Sequence, residues 1–269
     1  MKIIKLLLLV TLTYQVLCAD VADKWKVNAG AMFVTNFETE MQLTPKNLPL
    51  SLRINTKDQL GMKNETGVLR LDGYYRFNDR HRMEFSYFRV TSNGSIISSK
   101  ELLWDDQNIS AGASVESYFN MAVYKVNYGY SFYHNKKVEL TLTAGLHITT
   151  IELGLTAKGT INGSPSESYN SGAVATLPLP VIGFNGEYTI INKRLFVNYK
   201  TDYFVIKMDD FNGMLLSSAL NLEYRFVDHV GVGLGYNSNK IFVEATNNDN
   251  KLEISNDLSG VLLYFTYIY

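Results

Sequence analysis

The sequence predicts an all-β chain folded as a single antiparallel up-and-down transmembrane β-barrel of about ten strands. Three observations predict it. Apolar residues recur at every second position in runs of about ten, the length and period of a strand that crosses a bilayer at a tilt. The connections between these runs are alternately long and short, the short Asp209 to Gly213 link excepted, with the other short ones gathered on one side. The chain also ends inside such a run, Leu258 to Tyr269, in which Val261, Leu263, Phe265, Tyr267 and Tyr269 share one face.

Strand one begins at Trp25, with Val27, Ala29, Ala31, Phe33 and Phe37 on the same face and Lys26, Asn28, Gly30 and Asn36 opposite. A polar stretch, Met41 to Thr66, follows, in which Pro45 and Pro49 are expected to break any ladder. Strand two sets Leu69, Leu71, Gly73, Tyr75 and Phe77 against Arg70, Asp72, Tyr74 and Arg76, and an Asn78-Asp79-Arg80 turn leads to Met83, Phe85 and Tyr87 of strand three. A long segment, Thr91 to Ser114, precedes strand four, whose face is Tyr118, Ala122, Tyr124, Val126, Tyr128, Tyr130 and Phe132. After the short turn at His134-Asn135-Lys136, strand five alternates Val138, Leu140, Leu142, Ala144, Leu146 and Ile148 with Glu139, Thr141, Thr143, Gly145 and His147. The Ser-, Gly- and Asn-rich stretch from Ala157 to Leu177 reads as a mobile loop. Strands six (Leu179 to Ile191) and seven (Leu195 to Met208) flank Asn192-Lys193. Strand eight runs to Phe226, Val227-Asp228-His229 turns into strand nine, and strands nine and ten extend as a hairpin around Asn247 to Asn250.

Residues 1–19 carry two lysines, an apolar run and a small residue, the plan of a secretory signal, so the expected division is a signal peptide (1–19) and a barrel domain (20–269). Cys18 follows Leu17 rather than a small residue, which argues against lipidation. Without Lys2 and Lys5 the 25 basic side chains fall to 23 against 26 acidic ones, a balance that gives no argument for nucleic acid as partner. Cys18 is the chain's 1 cysteine, so the barrel domain carries no thiol chemistry.

Alternation alone fits a soluble barrel as well, but there the apolar face must fill the interior, and this many Tyr and Phe would overfill it. Facing lipid, they need no such room. Aromatics also stand near the ends of the runs, at Trp25, Phe77, Phe132, Tyr188, Phe226 and Tyr269. The opposite face then lines the lumen. By parity it carries Arg70, Arg76, Arg82, Lys125, Lys200 and Arg225 with Asp72, Glu84, Glu139, Glu187, Asp202 and Glu223. Unpaired, such charges would each cost several kcal/mol. In these balanced numbers they are expected to pair across adjacent strands, chiefly in the inner half, as a network that plugs the barrel.

The final run, with Phe265, Tyr267 and Tyr269 as its aromatics, resembles the last strand of bacterial outer-membrane β-barrel proteins. The resemblance implies short periplasmic turns, long extracellular loops, residence in the cell outer membrane among its lipids, and a terminus read by the barrel-assembly machinery. It leaves an extracellular ligand to the loops. Ten-stranded proteases of the omptin type carry Asp pairs and an Asp-His pair near the outer rim. Here Asp105-Asp106 and Asp209-Asp210 are placed at that rim, but Asp228-His229 is placed at the other end.

Of the four histidines, His81, His134 and His229 sit at inferred periplasmic turns, while His147 faces the lumen with no partner that spacing can supply. No metal-ligand cluster or phosphate-binding fingerprint occurs. Catalytic, cofactor-binding and metal-binding residues are therefore expected to be absent, and the expected role is non-enzymatic: structural or surface-interacting, with the lumen plugged by ion pairs. A narrow pore for ions or small solutes is the alternative, and a lipid-modifying enzyme or protease the second.

Overall fold

A computed structural model describes residues 23–45, 52–55, 60, 67–104, 107–246 and 250–269. The expected signal peptide, Pro49, Asp105-Asp106 and Asn247 to Asp249 lie outside the described residues. Thirteen strands are assigned, all paired antiparallel: β1 (Trp25–Pro45), β2 (Leu52–Asn55), β3 (Gly67–Asn78), β4 (His81–Ile97), β5 (Leu102–Trp104), β6 (Gln107–Ile109), β7 (Ser114–His134), β8 (Val138–Ile161), β9 (Ser164–Ile191), β10 (Leu195–Lys207), β11 (Phe211–Val227), β12 (Val230–Thr246) and β13 (Asn250–Ile268). Ten long ones form the ring β1-β3-β4-β7-β8-β9-β10-β11-β12-β13, closed where β13 pairs β1. The short ones sit at the outer end, β2 against β1 and the β5–β6 hairpin against β8. The terminus takes part in closure: Trp25 N–H donates to the Tyr269 carbonyl at 2.7 Å, and Tyr269 N–H returns to Trp25 at 3.0 Å. The side chains of Phe265, Tyr267 and Tyr269 point outward and are exposed.

Most strands outrun their apolar bands. The stretch from Ala157 to Leu177 is not a loop. β8 and β9 pair almost to the tip, where Asn162 (φ 48°) and Gly163 (φ 78°) turn the chain. An Asn-Gly pair takes these positive φ values at little cost and matches the twist of a hairpin, so the polar composition reflects an outer face in water rather than missing structure. Likewise β4 continues to Ile97 within the supposed loop from Thr91, and the β1–β13 ladder runs through Met41 to Thr44 as far as Pro45, whose partner Asn250 is the last in the register.

Along β8 the outward residues Val138, Leu142, Ala144 and Leu146 are apolar, while Glu139, Thr141, Thr143, His147 and Thr149 are buried inside. Beyond Thr149 the faces exchange: Thr150, Glu152 and Thr156 look out, and Ile151, Leu153, Leu155 and Ala157 are buried inside. β7 does the same between Tyr124 outside and Val123, Met121 and Phe119 inside. β1 reaches this result differently. A β-bulge between Val34 and Asn36 shifts its register, so Phe37, expected on the face of Trp25, turns inward and meets Phe119 edge-on at 5.0 Å. The outer half thus holds an apolar core that includes Met32, Phe37, Phe88, Val90, Trp104, Phe119, Met121, Leu153 and Leu258, with Leu60 of the β2–β3 segment buried in it.

Candidate functional site in the lumen

Below that core the lumen is ionic, and the strand period puts every expected charge there. Side chains that face the axis of a narrow barrel converge, so long ones reach the far wall. Arg76 donates through Nη2 to both oxygens of Glu139 at 2.9 and 2.8 Å, from β3 to β8, and Arg82 of β4 reaches the same carboxylate at 3.3 Å. Lys125 of β7 meets Asp202 of β10 at 2.6 Å. Other pairs run along one strand at a spacing of two residues: Arg70 with Asp72 (3.2 Å), Arg82 with Glu84 (2.7 Å) and Arg225 with Glu223 (3.1 Å). The charges pair across the lumen and along strands, rather than across adjacent strands as expected. Neighbouring strands of this ring place unlike charges at different heights, whereas residues two apart share both strand and face.

Two members were missed by the sequence reading. Lys26, one residue inside β1 on its polar face, bridges Glu223 at 2.8 Å and Glu187 at 3.7 Å. Asp23, just ahead of β1, takes Arg225 Nη1 at 2.8 Å. Parity marked Lys26; Asp23 lies outside any strand pattern, and only the closed ring brings it to Arg225. Both signs gain one, so the set stays balanced. Lys200 has no ion pair within 4.0 Å among the described residues.

Neutral groups complete the layer. Asn28 donates to Asp72 (2.9 Å), Asn127 to Asp202 (2.8 Å) and Asn185 to both oxygens of Glu84 (2.7 and 2.8 Å). The guanidinium of Arg225 stacks 3.9 Å above the Phe196 ring, and the Tyr74 ring lies beneath both Arg82 and Arg76. Tyr264 donates to Glu223 at 3.3 Å, and its ring occupies the space over Gly233, where any Cβ would stand 2.1 Å from it. What is left is a polar cavity of about 30 Å³, lined by Asn28, Lys200, Asn198 and Asn221 among others, room for a water or two.

His147 is buried at the junction of the ionic and apolar layers, and neither ring nitrogen has a hydrogen-bond partner among the described residues. Asp228-His229 lies in the β11–β12 turn, and Asp209-Asp210 in the β10–β11 turn at the far end of β11. His229 Nδ1 contacts the Ile268 carbonyl, while His81 packs against Tyr128 and Tyr130 near the same end of the barrel. Among the described residues no three His, Cys, Asp or Glu side chains are grouped to hold a metal ion.

No family model matches the chain, and no curated protein does. Among solved structures, the outer-membrane protease OmpT from Escherichia coli aligns with a TM-score of 0.58 at 11% identity, over 94% of this chain and 99% of that one. The fold is the bacterial outer-membrane β-barrel. Other such barrels align more loosely. The translocator domain of the autotransporter NalP from Neisseria meningitidis gives a TM-score of 0.45 at 10% identity, over 91% of this chain and 88% of that one. OprG from Pseudomonas aeruginosa gives 0.34 at 12%, over 92% and 96%. Exposed Leu, Ile, Val, Tyr and Phe form an outward-facing girdle, the feature by which barrels of this fold meet lipid, in a band typically about 25 Å tall.

Proposed function

We propose that this barrel is a closed, non-catalytic scaffold that holds a rigid β-structured platform at the cell surface for interaction with extracellular partners. One observation carries the reading: the lumen is filled twice over, by ion pairs that cross it and by an apolar core stacked above them. Ions entering from the periplasm would have to break charge pairs, then cross a layer that offers no solvation. Outer-membrane lipid is its surroundings, and Phe265, Tyr267 and Tyr269 form the signal read by the assembly machinery. A narrow pore is the second reading, favoured by the polar cavity beside Lys200 and by Asn198 Nδ2 and Asn221 Oδ1, which have no hydrogen-bond partner among the described residues. Planar-bilayer recording on refolded protein separates them. Closure predicts only small, irregular current. Large, steady conductance, unchanged in Arg225→Ala, would overturn closure and establish the pore.

A further inference from the structure

The ring has a gap in its ladder. β9 pairs β10 only from Ile182 inward, yet β9 continues outward to Ser164, paired among the described residues with β8 alone. Thr189 N–H donates to the Lys137 carbonyl on the β8 side. With a period of two, the odd-numbered residues of β9 therefore turn their backbone groups to β8 and the even-numbered ones to β10. Pro178 and Pro180 are even. They have no N–H to offer β10, so pairing stops at Ile182 and β10 turns back at Met208. Outward of the prolines, Asn170, Gly172, Val174 and Thr176 aim N–H and C=O groups at a side where no strand is paired among the described residues.

We infer that this edge of β9, between Asn170 and Thr176, is a docking site for an extended peptide segment of an extracellular partner, added to the sheet as a strand. An unpaired backbone row is a template for main-chain hydrogen bonds. Natural edges are commonly guarded by lysine, but residues 168–177 carry no charge. The site also fixes the peptide's pattern. On the lumen side of the gap lie Leu179, Val181, Leu215, Ile241 and Val243, with half-buried Leu177, Phe204 and Phe211 packed on them. On the outer face stand Thr176, Asn170 and Thr150. An incoming strand fits with apolar side chains inward and polar ones outward. A second copy does not fit. Two upright barrels are related by an axis along the membrane normal, which makes facing β9 strands parallel and sets the apolar side of one against the polar side of the other.

This rests on the surface-interaction half of the proposed function and not on closure, because binding and conductance are read separately. The probe is a labelled synthetic peptide with the sequence of residues 149–158, which pairs the same stretch of β9 from its other side. It should bind refolded barrel in micelles and slow amide exchange at Gly172, Val174 and Thr176 by at least about tenfold, leaving the already protected Ala173 and Ala175 unchanged. Val174→Pro and Thr176→Pro remove an N–H from the open side only, so each should keep the heat-modifiable barrel and weaken binding at least about tenfold. Slow exchange at Gly172, Val174 and Thr176 without peptide would overturn the inference, as would unweakened binding to both proline variants. So would absence of binding at millimolar peptide. Concentration-dependent dimers that protect these amides would replace the peptide by a second copy and equally overturn it.

Discussion

Followed outward from Val138, β8 is two different strands on one backbone. Its inner half is dressed for lipid outside and charge inside, its outer half for water outside and an apolar core. β1 makes the same exchange by the opposite means. On β8 the backbone stays regular and the apolar residues change phase, from Ile148 to Ile151; on β1 the apolar phase persists from Phe33 to Phe37 and the bulge turns it inward. The comparison teaches that what surrounds a barrel decides which face is apolar, and that either the sequence or the backbone can make the switch.

The two halves should respond to different injuries. The largest effect is expected in the ionic half, where Glu139→Ala strands Arg76 and leaves Arg82 with Glu84 alone; losing one member of a buried pair costs about 3–5 kcal/mol. Denaturant unfolding in micelles measures it, and an effect below about 1 kcal/mol would mean the layer is hydrated. In the outer half, Phe119→Ala should cost about 3–5 kcal/mol by opening a cavity against Phe37. The contrast sharpens with Phe119→Leu, which should recover most of the loss, whereas Glu139→Leu should recover little. On the lipid face, Leu142→Arg should cost about 2–4 kcal/mol near the midplane, and tolerance of it would deny that this band meets hydrocarbon.

The smallest effect concerns the exposed outer ends of β12 and β13. Lys251 lies 2.9 Å from Glu244 and 2.6 Å from Glu253. Hydrogen bonds from Lys251, then Asn212, hold the Glu244 carboxyl below its ordinary range, so its contribution is present above the unfolded value and fades as pH falls through the folded one. Glu253 and Glu244 raise Lys251, whose contribution is present below its unfolded value and fades as pH rises past the folded one. A carbon-13 titration of Glu244 should give a midpoint below that of an unfolded peptide, returning toward it in about 1 M salt.

Strand order and the even number of long strands were legible because alternation against lipid is strong between Val138 and Ile148, and between Tyr124 and Phe132. The outer strands were not. Thr, Asn, Gly and Ser on a watered face look like loop, and their inward Ile151, Leu153 and Leu155 are too few to stand out. The bulge at Val34 to Asn36 left no mark, since apolar spacing runs through it unbroken. The lumen charges were legible by parity, but the Arg-x-Asp and Arg-x-Glu spacing that pairs Arg70 with Asp72 and Arg82 with Glu84 was passed over in favour of pairing across adjacent strands. Which far wall Arg76 or Lys125 would reach depends on closure, which no local pattern encodes.

The exchange of faces at Thr149 also fixes how deep the molecule sits. Sinking by one residue pair along the strands, about 5 Å of height at this tilt, would carry Thr150 and then Glu152 into hydrocarbon, and rising by as much would lift Ile148 and Leu146 into water. Both displacements are opposed on every strand that makes the exchange, so the barrel rides at one level. The outer rim, with the open edge of β9, is therefore carried at a constant distance above the lipid surface.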